Sequence, residues 1–306
     1  MSFSLIFMRV MMLTAMMLAG YVSAKTGVLK ENAAPTISSL IMNISLPCNV
    51  FVIMLQPLDK ELLPSAAAIA LIAAIFYAVS IPASSLYCRL TGIKDGAKPL
   101  HRCSFIFSNV AFMGLPIAGA FFGSRALFFV TIWNIVFLIF YLAAAPAIFS
   151  SGNSFRFSDL IKNPPMAASL IGLLGMAFSL TLPAVISESL TMLAAMMTPL
   201  SMIFIGLTLA KVDLRTAFGN SRIWLTTFIR LVLLPLLFFF LVRFFTKNQE
   251  LATVTALILG LPVAVLTSIY AEKYGADVVL ASQLVFLSTV VSMLTLPLLV
   301  YLLQSY

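Results

Sequence analysis

Charged residues are scarce in this chain. Asp, Glu, Lys and Arg make up 9% of its 306 residues, whereas 62% are hydrophobic. A soluble domain carries roughly a quarter charged residues, so this composition excludes a fold with water on every side. The composition predicts an all-α polytopic membrane protein, since a helix satisfies its own backbone hydrogen bonds in lipid.

Acidic groups are absent from the centres of the apolar segments. All ten lie in loops or at segment ends, namely Glu31, Asp59, Glu61, Asp95, Asp159, Glu188, Asp213, Glu250, Glu272 and Asp277. A carrier that exchanges protons for metal cations needs an ionisable group within the membrane. The sequence therefore argues against a metal-cation substrate.

Cysteine motifs for metal binding and motifs for catalysis are also lacking. Cys48, Cys88 and Cys103 have no zinc-like spacing and lie in or beside apolar segments. No phosphate-binding glycine loop and no nucleophile–base set is present. The sequence thus predicts no enzyme activity, no cofactor and no metal site.

Ten apolar runs are long enough to cross a bilayer. They cover about 3–24, 37–56, 64–88, 102–122, 126–149, 165–184, 190–210, 223–245, 251–271 and 279–303. The loops after the odd-numbered spans hold twelve basic residues: Lys25, Lys30, Arg89, Lys94, Lys98, Arg102, Arg156, Lys162, Lys211, Arg215, Arg222 and Lys273. The opposite loops hold four, Lys60, Arg125, Arg243 and Lys247. The positive-inside rule predicts a multi-pass protein of the cell (inner) membrane with both termini extracytoplasmic. The net charge of +8 then needs no nucleic acid partner.

Prolines recur at a nearly constant spacing along the chain. Pro47 and Pro199 are 152 residues apart, Pro82 and Pro235 are 153 apart, and Pro146 and Pro297 are 151 apart. Gly20 and Gly172 are also 152 apart. Because each half would hold five spans, an odd number, the second half must enter the membrane from the opposite side. The spacing predicts two inverted five-helix repeats, residues 1–150 and 151–306, which is typical of secondary transporters.

Helix breaks are predicted in the fourth span near Ser108-Asn109 and in the ninth span near Leu261-Pro262. A register near 153 places Pro262 opposite Asn109, and Gly114-Leu115-Pro116 is a second irregularity further along. The second half of a broken helix begins with unpaired N–H groups and a partial positive charge. Two such ends that meet near the midplane would attract an anion.

Neutral polar residues near the breaks leave several interpretations open. The Asn109 amide could contact a substrate or cap the freed backbone. Bonds to the preceding turn of the same helix are expected for Ser45, Ser201, Thr267 and Ser268. Arg230 could extend to the cytoplasmic surface or attract an anion in an aqueous cavity, and His101 is expected to be a surface residue.

Several stretches of the chain are similar to the auxin efflux carrier family, over essentially all ten spans. They are Ile44-Ser45-Leu46-Pro47, the run from Ser108-Asn109 to Gly114-Leu115-Pro116, Asn163-Pro164, Pro199–Gly206, Gly260-Leu261-Pro262 and Ala271–Gly275. The resemblance implies ten helices in two inverted repeats, with broken helices 4 and 9 that cross and hold the carboxylate of an organic acid. It assigns Asn109 as a carboxylate ligand, Leu46 and Pro47 as pocket residues, and Pro262 and Val263 as crossover residues.

The predicted substrate site combines the resemblance with the helix breaks. Its residues are Leu46, Pro47, Ser108, Asn109, Gly114, Pro116, Pro262 and Val263. Plant relatives often have glutamine at the position of Val263 and proline at that of Ser108, and many have a long central loop that this chain lacks. These departures predict a simpler acid than auxin, such as malate or malonate.

The prediction is thus a secondary transporter for small organic anions that works by alternating access. One alternative is a sodium-coupled symporter for larger carboxylates, similar to bile acid carriers. Another is a membrane sensor that binds a ligand without transport. By analogy, the protein is also expected to form a homodimer.

Overall fold

The computed structural model describes residues 3–30, 32–55, 62–150, 157–212 and 214–304. These residues form helices and no strand, with a single isolated bridge between two loops. We number the main helices α1 (Phe3–Lys25), α2 (Ala33–Met54), α3 (Leu62–Leu90), α4 (Lys98–Ile106), α5 (Val110–Phe149), α6 (Pro164–Ala177), α7 (Ala184–Leu209), α8 (Ser221–Thr246), α9 (Gln249–Leu259), α10 (Leu266–Lys273) and α11 (Val278–Gln304). Asp95–Ala97, Phe157–Ile161 and Leu214–Phe218 form short helical turns.

Seven of the described helices are long and apolar enough to cross a membrane: α1, α2, α3, α5, α7, α8 and α11. The predicted span 165–184 is the shorter helix α6. The predicted spans 102–122 and 251–271 are each divided into two helices. Helix α5 turns sharply at Gly123, whose φ of 75° and ψ of −165° are not helical. It therefore combines the second half of the predicted fourth span with the fifth.

Three helices widen into a π-helical turn immediately before a Leu-Pro pair. These turns are Ile41–Ser45, Val110–Gly114 and Ile229–Leu233, and they precede Pro47, Pro116 and Pro235. Proline has no N–H and its ring collides with the carbonyl four residues earlier. A wider turn relieves that collision and redirects the side chains on it. The prolines thus produce local irregularities within continuous membrane helices.

Two pairs of helices approach closely at glycine. A Cβ on Gly20 would lie 2.8 Å from Cα of Ile203, which brings α1 against α7. A Cβ on Gly172 would lie 2.7 Å from Cβ of Met54 and 3.4 Å from Cα of Phe51, which brings α6 against α2. Both contacts obey the spacing of the prolines, since 20 + 152 = 172 and 51 + 152 = 203. Small residues at such contacts allow helix backbones to pack in lipid.

The helices pack in two groups. In one group α7 contacts α1 and α2, and α2 contacts α6, whereas α3, α4, α5, α8, α9, α10 and α11 form the second group around a core of aromatic side chains. The Ser45 hydroxyl donates to the Leu193 carbonyl at 2.9 Å and so joins α2 to α7. The expected bond to its own preceding turn is wrong. Leu193 lies in the last turn before α7 is interrupted at Met196, where carbonyls lack helical partners.

Candidate functional site

The two divided helices meet at a crossing of extended backbone. The Asn109 N–H donates to the Pro262 carbonyl at 2.8 Å, and the Ala264 N–H donates to the Phe107 carbonyl at 3.1 Å. These two bonds form an antiparallel bridge between Ser108 and Val263. We call residues 107–109 together with 261–264 the crossover. All of its side chains for which burial is described are buried.

Asn109 and Pro262 lie directly opposite each other at the crossover. The prediction placed Asn109 opposite Pro262, and the bond from the Asn109 N–H to the Pro262 carbonyl joins these two residues. The bridge pairs Ser108 with Val263, so its local twofold relates positions 155 apart, two more than the predicted repeat spacing of 153.

Asn109 begins helix α5 through its backbone alone. Its carbonyl accepts from the N–H groups of Met113, at 3.2 Å, and Gly114, at 3.0 Å. The side chain forms no capping bond, and the Asn109 Nδ2 atom is buried without a hydrogen-bond partner. The amide is therefore not used to cap the helix in this conformation.

Two further polar side chains, one in the crossover and one in α10, are also buried without a hydrogen-bond partner. Ser108 Oγ and Thr267 Oγ1 are buried and have no hydrogen-bond partner in the chain. Thr267 does not make the bond to its preceding turn that its sequence context predicts. Most buried polar groups in proteins are satisfied, so such a group calls for an explanation.

Neighbouring helices support the crossover backbone. The Ser288 hydroxyl of α11 accepts from the Val263 N–H at 3.1 Å. A Cβ on Gly114 would lie 2.8 Å from Cδ1 of Leu261, so the first turn of α5 lies against the opposite loop. A glycine at position 114 permits this approach.

Arg230 reaches the crossover from α8. It is fully buried, and its guanidinium donates to the carbonyls of Phe105 at 3.1 Å, Ile106 at 3.4 Å and Leu261 at 3.4 Å. The side chain does not extend to a membrane surface, because it is fully buried. Its Nη2 atom is buried without a hydrogen-bond partner. The π-helical turn Ile229–Leu233 contacts both α4 and α11 and directs it inward.

His101 is also buried, contrary to the expectation of a surface residue. Its Nδ1 lies 2.8 Å from Oγ1 of Thr226, and the Tyr87 hydroxyl lies 2.7 Å from the same atom. Helix α8 covers this end of α4, which the sequence position at the start of a span did not reveal.

The remaining predicted site residues lie apart from the bridge. Leu46 and Pro47 begin the part of α2 that packs on α6 and α7. Pro116 lines a cavity of about 290 Å³ together with Asn49 and Thr198. The structure therefore joins Ser108, Asn109, Pro262 and Val263 directly, with Gly114 against them.

A second cavity of about 550 Å³ lies between α2, α7, α10 and α11. Its polar lining includes Ser39, Asn43, Lys211, Ser268, Glu272 and Ser282. None of the eight predicted site residues lines it. Polar side chains at 39 and 43, one helical turn apart within an apolar span, are the sequence signal that could have identified it, and the Asn43 amide donates to the Ser39 carbonyl at 2.8 Å.

Comparison with known proteins agrees with the architecture. A family model described as membrane transport protein matches residues 5–155 and again 146–300. An uncharacterized transporter from Methanothermobacter thermautotrophicus is 28% identical over 294 residues, which cover 94% of this chain and 95% of the relative. An uncharacterized transporter from Methanocaldococcus jannaschii is 24% identical over 297 residues, with 94% and 96% covered. This chain therefore belongs to the membrane transport protein family, the family of the auxin efflux carriers, and is a multi-pass membrane transporter.

Proposed function

We propose that this transporter moves small organic anions, of the malate or malonate type, and binds their carboxylate at the crossover. One observation carries the proposal. The Asn109 Nδ2 amide is buried beside the bridge with no hydrogen-bond partner in the chain. A carboxylate oxygen is an acceptor that such a donor can bind, and Ser108 Oγ in the crossover and Thr267 Oγ1 in α10 are two further buried donors without a partner.

The helix dipoles favour the same sign of ligand. Helices α5 and α10 both begin just after the crossover, and a helix N-terminus carries about half a positive charge. Two such ends together offset roughly one negative charge, as a carboxylate supplies. The ion pairs formed among the described residues, Lys98–Asp95 and Arg125–Glu250, lie outside the crossover, so no side-chain carboxylate of either pair competes for this position.

Alternating access is the proposed mode of transport, with ten membrane segments arranged as two inverted repeats. The contacts of Gly20 with α7 and of Gly172 with α2 support the repeat, since they share one offset. The cavity of about 550 Å³ involves α10 and α11, and the cavity of about 290 Å³ involves the first turns of α5. Each cavity borders the second half of a different broken helix, as expected for access routes from opposite sides.

Labelled malonate in proteoliposomes tests the proposal. Counterflow of labelled malonate against unlabelled malonate should exceed that in empty vesicles, after a thermal-shift panel of mono- and dicarboxylates has ranked binding. Binding without counterflow would favour the sensor alternative. No carboxylate shift and no counterflow for any acid in the panel would contradict the proposal.

The orientation of the chain can be tested independently. In a cysteine-free background, Lys247→Cys should react with a membrane-impermeant thiol reagent on intact cells, whereas Lys94→Cys should react only after permeabilisation. Both side chains are exposed, so access to the reagent depends on the side of the membrane. The positive-inside rule predicts a cytoplasmic position for Lys94, because twelve basic residues lie on its side of the membrane. The opposite labelling pattern would contradict the orientation.

A further inference from the structure

Arg230 connects the ends of two half-helices. Phe105 and Ile106 lie in the last turn of α4, and Leu261 lies two residues after α9 ends. The carbonyls of a final helical turn have no partner within the helix. The guanidinium of Arg230 donates to the carbonyls at both helix ends. Nη1 donates to the carbonyls of Phe105 and Ile106, and Nε donates to the carbonyl of Leu261.

The charges at this junction balance. A helix C-terminus carries about half a negative charge, so the ends of α4 and α9 together present roughly one. The guanidinium carries one positive charge and stays protonated in proteins. Among the described residues, neither ion pair involves Arg230. The two helix ends thus act as the counter-charge of Arg230.

The other repeat has no equivalent charge. The proline spacing relates Arg230 to Tyr77, since 230 − 77 = 153. Tyr77 is fully buried, and its hydroxyl accepts from Trp133 Nε1 at 2.9 Å. A phenol is neutral. Of the two equivalent positions, 77 and 230, only Arg230 therefore contributes a charge.

In transporters with broken helices, the free carbonyls and helix C-terminal ends are the groups that coordinate Na⁺ or H⁺. In this protein the Arg230 side chain binds such carbonyls, at the ends of α4 and α9. We propose that Arg230 is a tethered cation, which takes the place of a diffusible coupling cation. The crossover is then stabilised without Na⁺, and the protein transports its anion without Na⁺. The transport part of this inference rests on the proposed function, whereas the binding part concerns the protein alone.

Thermal unfolding of the purified protein tests the binding part without any substrate. The Tm of the wild type should be the same in NaCl and in choline chloride. Arg230→Ala should lower the Tm by roughly 5–10 °C, because it leaves buried helix ends without a counter-charge. Millimolar guanidinium, and Na⁺ over choline, should raise the Tm of Arg230→Ala in a saturable manner.

Three controls separate a cation site from a general structural role. Urea has the shape of guanidinium without its charge and should not restore Arg230→Ala. Arg230→Lys keeps the charge and should resemble the wild type in its indifference to Na⁺. Arg222→Ala removes an exposed arginine two turns earlier in α8 and should change neither the Tm nor its dependence on cations.

Several results would overturn the inference. A saturable increase of the wild-type Tm with Na⁺ would mean that the cation site is not filled by Arg230. Equal effects of urea and guanidinium on Arg230→Ala would reduce Arg230 to a packing role. If Arg230→Ala cannot be purified, the test uses the Tm of the wild type and of Arg230→Lys. A Tm that depends on Na⁺ in either protein contradicts the proposal.

Transport supplies a second readout. Counterflow of labelled malonate by the wild type should change by less than about twofold when choline replaces Na⁺, a difference under about 0.4 kcal/mol. Strict dependence on Na⁺ would contradict the tethered cation and favour the sodium-coupled alternative. Absence of malonate counterflow under both conditions would count against the proposed substrate class, and the unfolding experiments would still decide the role of Arg230.

Discussion

Gly206→Ala is expected to prevent normal assembly of α1 with α7. A Cβ at Gly206 would lie less than 3 Å from backbone atoms of α1, among them the Tyr21 nitrogen at 2.7 Å. Because backbone atoms cannot rotate away as a side chain does, the two helices must separate. Ordinary overpacking costs about 1–3 kcal/mol, and a backbone collision between two packed helices should exceed that range. We expect the monodisperse peak in size-exclusion chromatography to be lost or greatly reduced.

Gly119→Ala is the matched control for this change. It is the same substitution in another membrane helix, and the nearest atom to its Cβ would be Leu127 Cδ1 at 3.8 Å, an ordinary contact. This variant should purify with a Tm close to that of the wild type. A normal chromatographic profile and Tm for Gly206→Ala would show that the approach of α1 to α7 is looser than the structure has it.

Asn109→Ala is expected to weaken organic-anion binding by about 10- to 150-fold. The lost hydrogen bond to a charged group is worth roughly 1.5–3 kcal/mol. The Asn109 N–H and carbonyl, which form the crossover and begin α5, are retained in this variant. Because Nδ2 has no partner in the chain, its removal should cost little stability. Calorimetry with a carboxylate identified in the thermal-shift panel measures the change.

Asn109→Asp gives the sharper contrast. It preserves the shape of the side chain but places a negative charge where a carboxylate is expected, so binding should fall further than in Asn109→Ala. Asn163→Ala is a control of the same residue type, since Asn163 caps α6 by accepting from the Met166 N–H at 3.2 Å, outside the crossover. It should leave the binding constant unchanged. Equal binding constants for wild type and Asn109→Ala would remove the amide from the proposed site.

Sequence reasoning located the interruptions, whereas the bonds between them depend on the tertiary structure. The breaks were expected near Ser108-Asn109 and Leu261-Pro262, and the chain departs from a helix at both places. Proline and glycine disturb the helix locally, so their positions are legible in the sequence. The bridge between Ser108 and Val263 depends on how two loops from distant parts of the chain meet, and the proline spacing within the helices does not specify its hydrogen bonds.

The partners of buried polar residues were the least predictable feature. Arg230 and His101 each have a sequence context that fits a membrane surface, yet both are buried among residues more than 100 positions away. Ser45 likewise bonds to Leu193 instead of its own helix. A polar group in lipid must find a partner, and the choice among a near and a distant carbonyl depends on helix packing.

The sequence by itself determined that this chain is a multi-pass membrane protein, because hydropathy is a property of short segments and decides whether each one is more stable in lipid or in water. It also determined that the chain lacks a carboxylate at the centre of its spans. Only the tertiary structure decided what neutralises the broken helices, because the ends of α4 and α9 become neighbours of Arg230 through packing across both repeats. The free energy of a buried charge depends on atoms within a few ångströms in space. The local sequence does not specify which distant residues come that close.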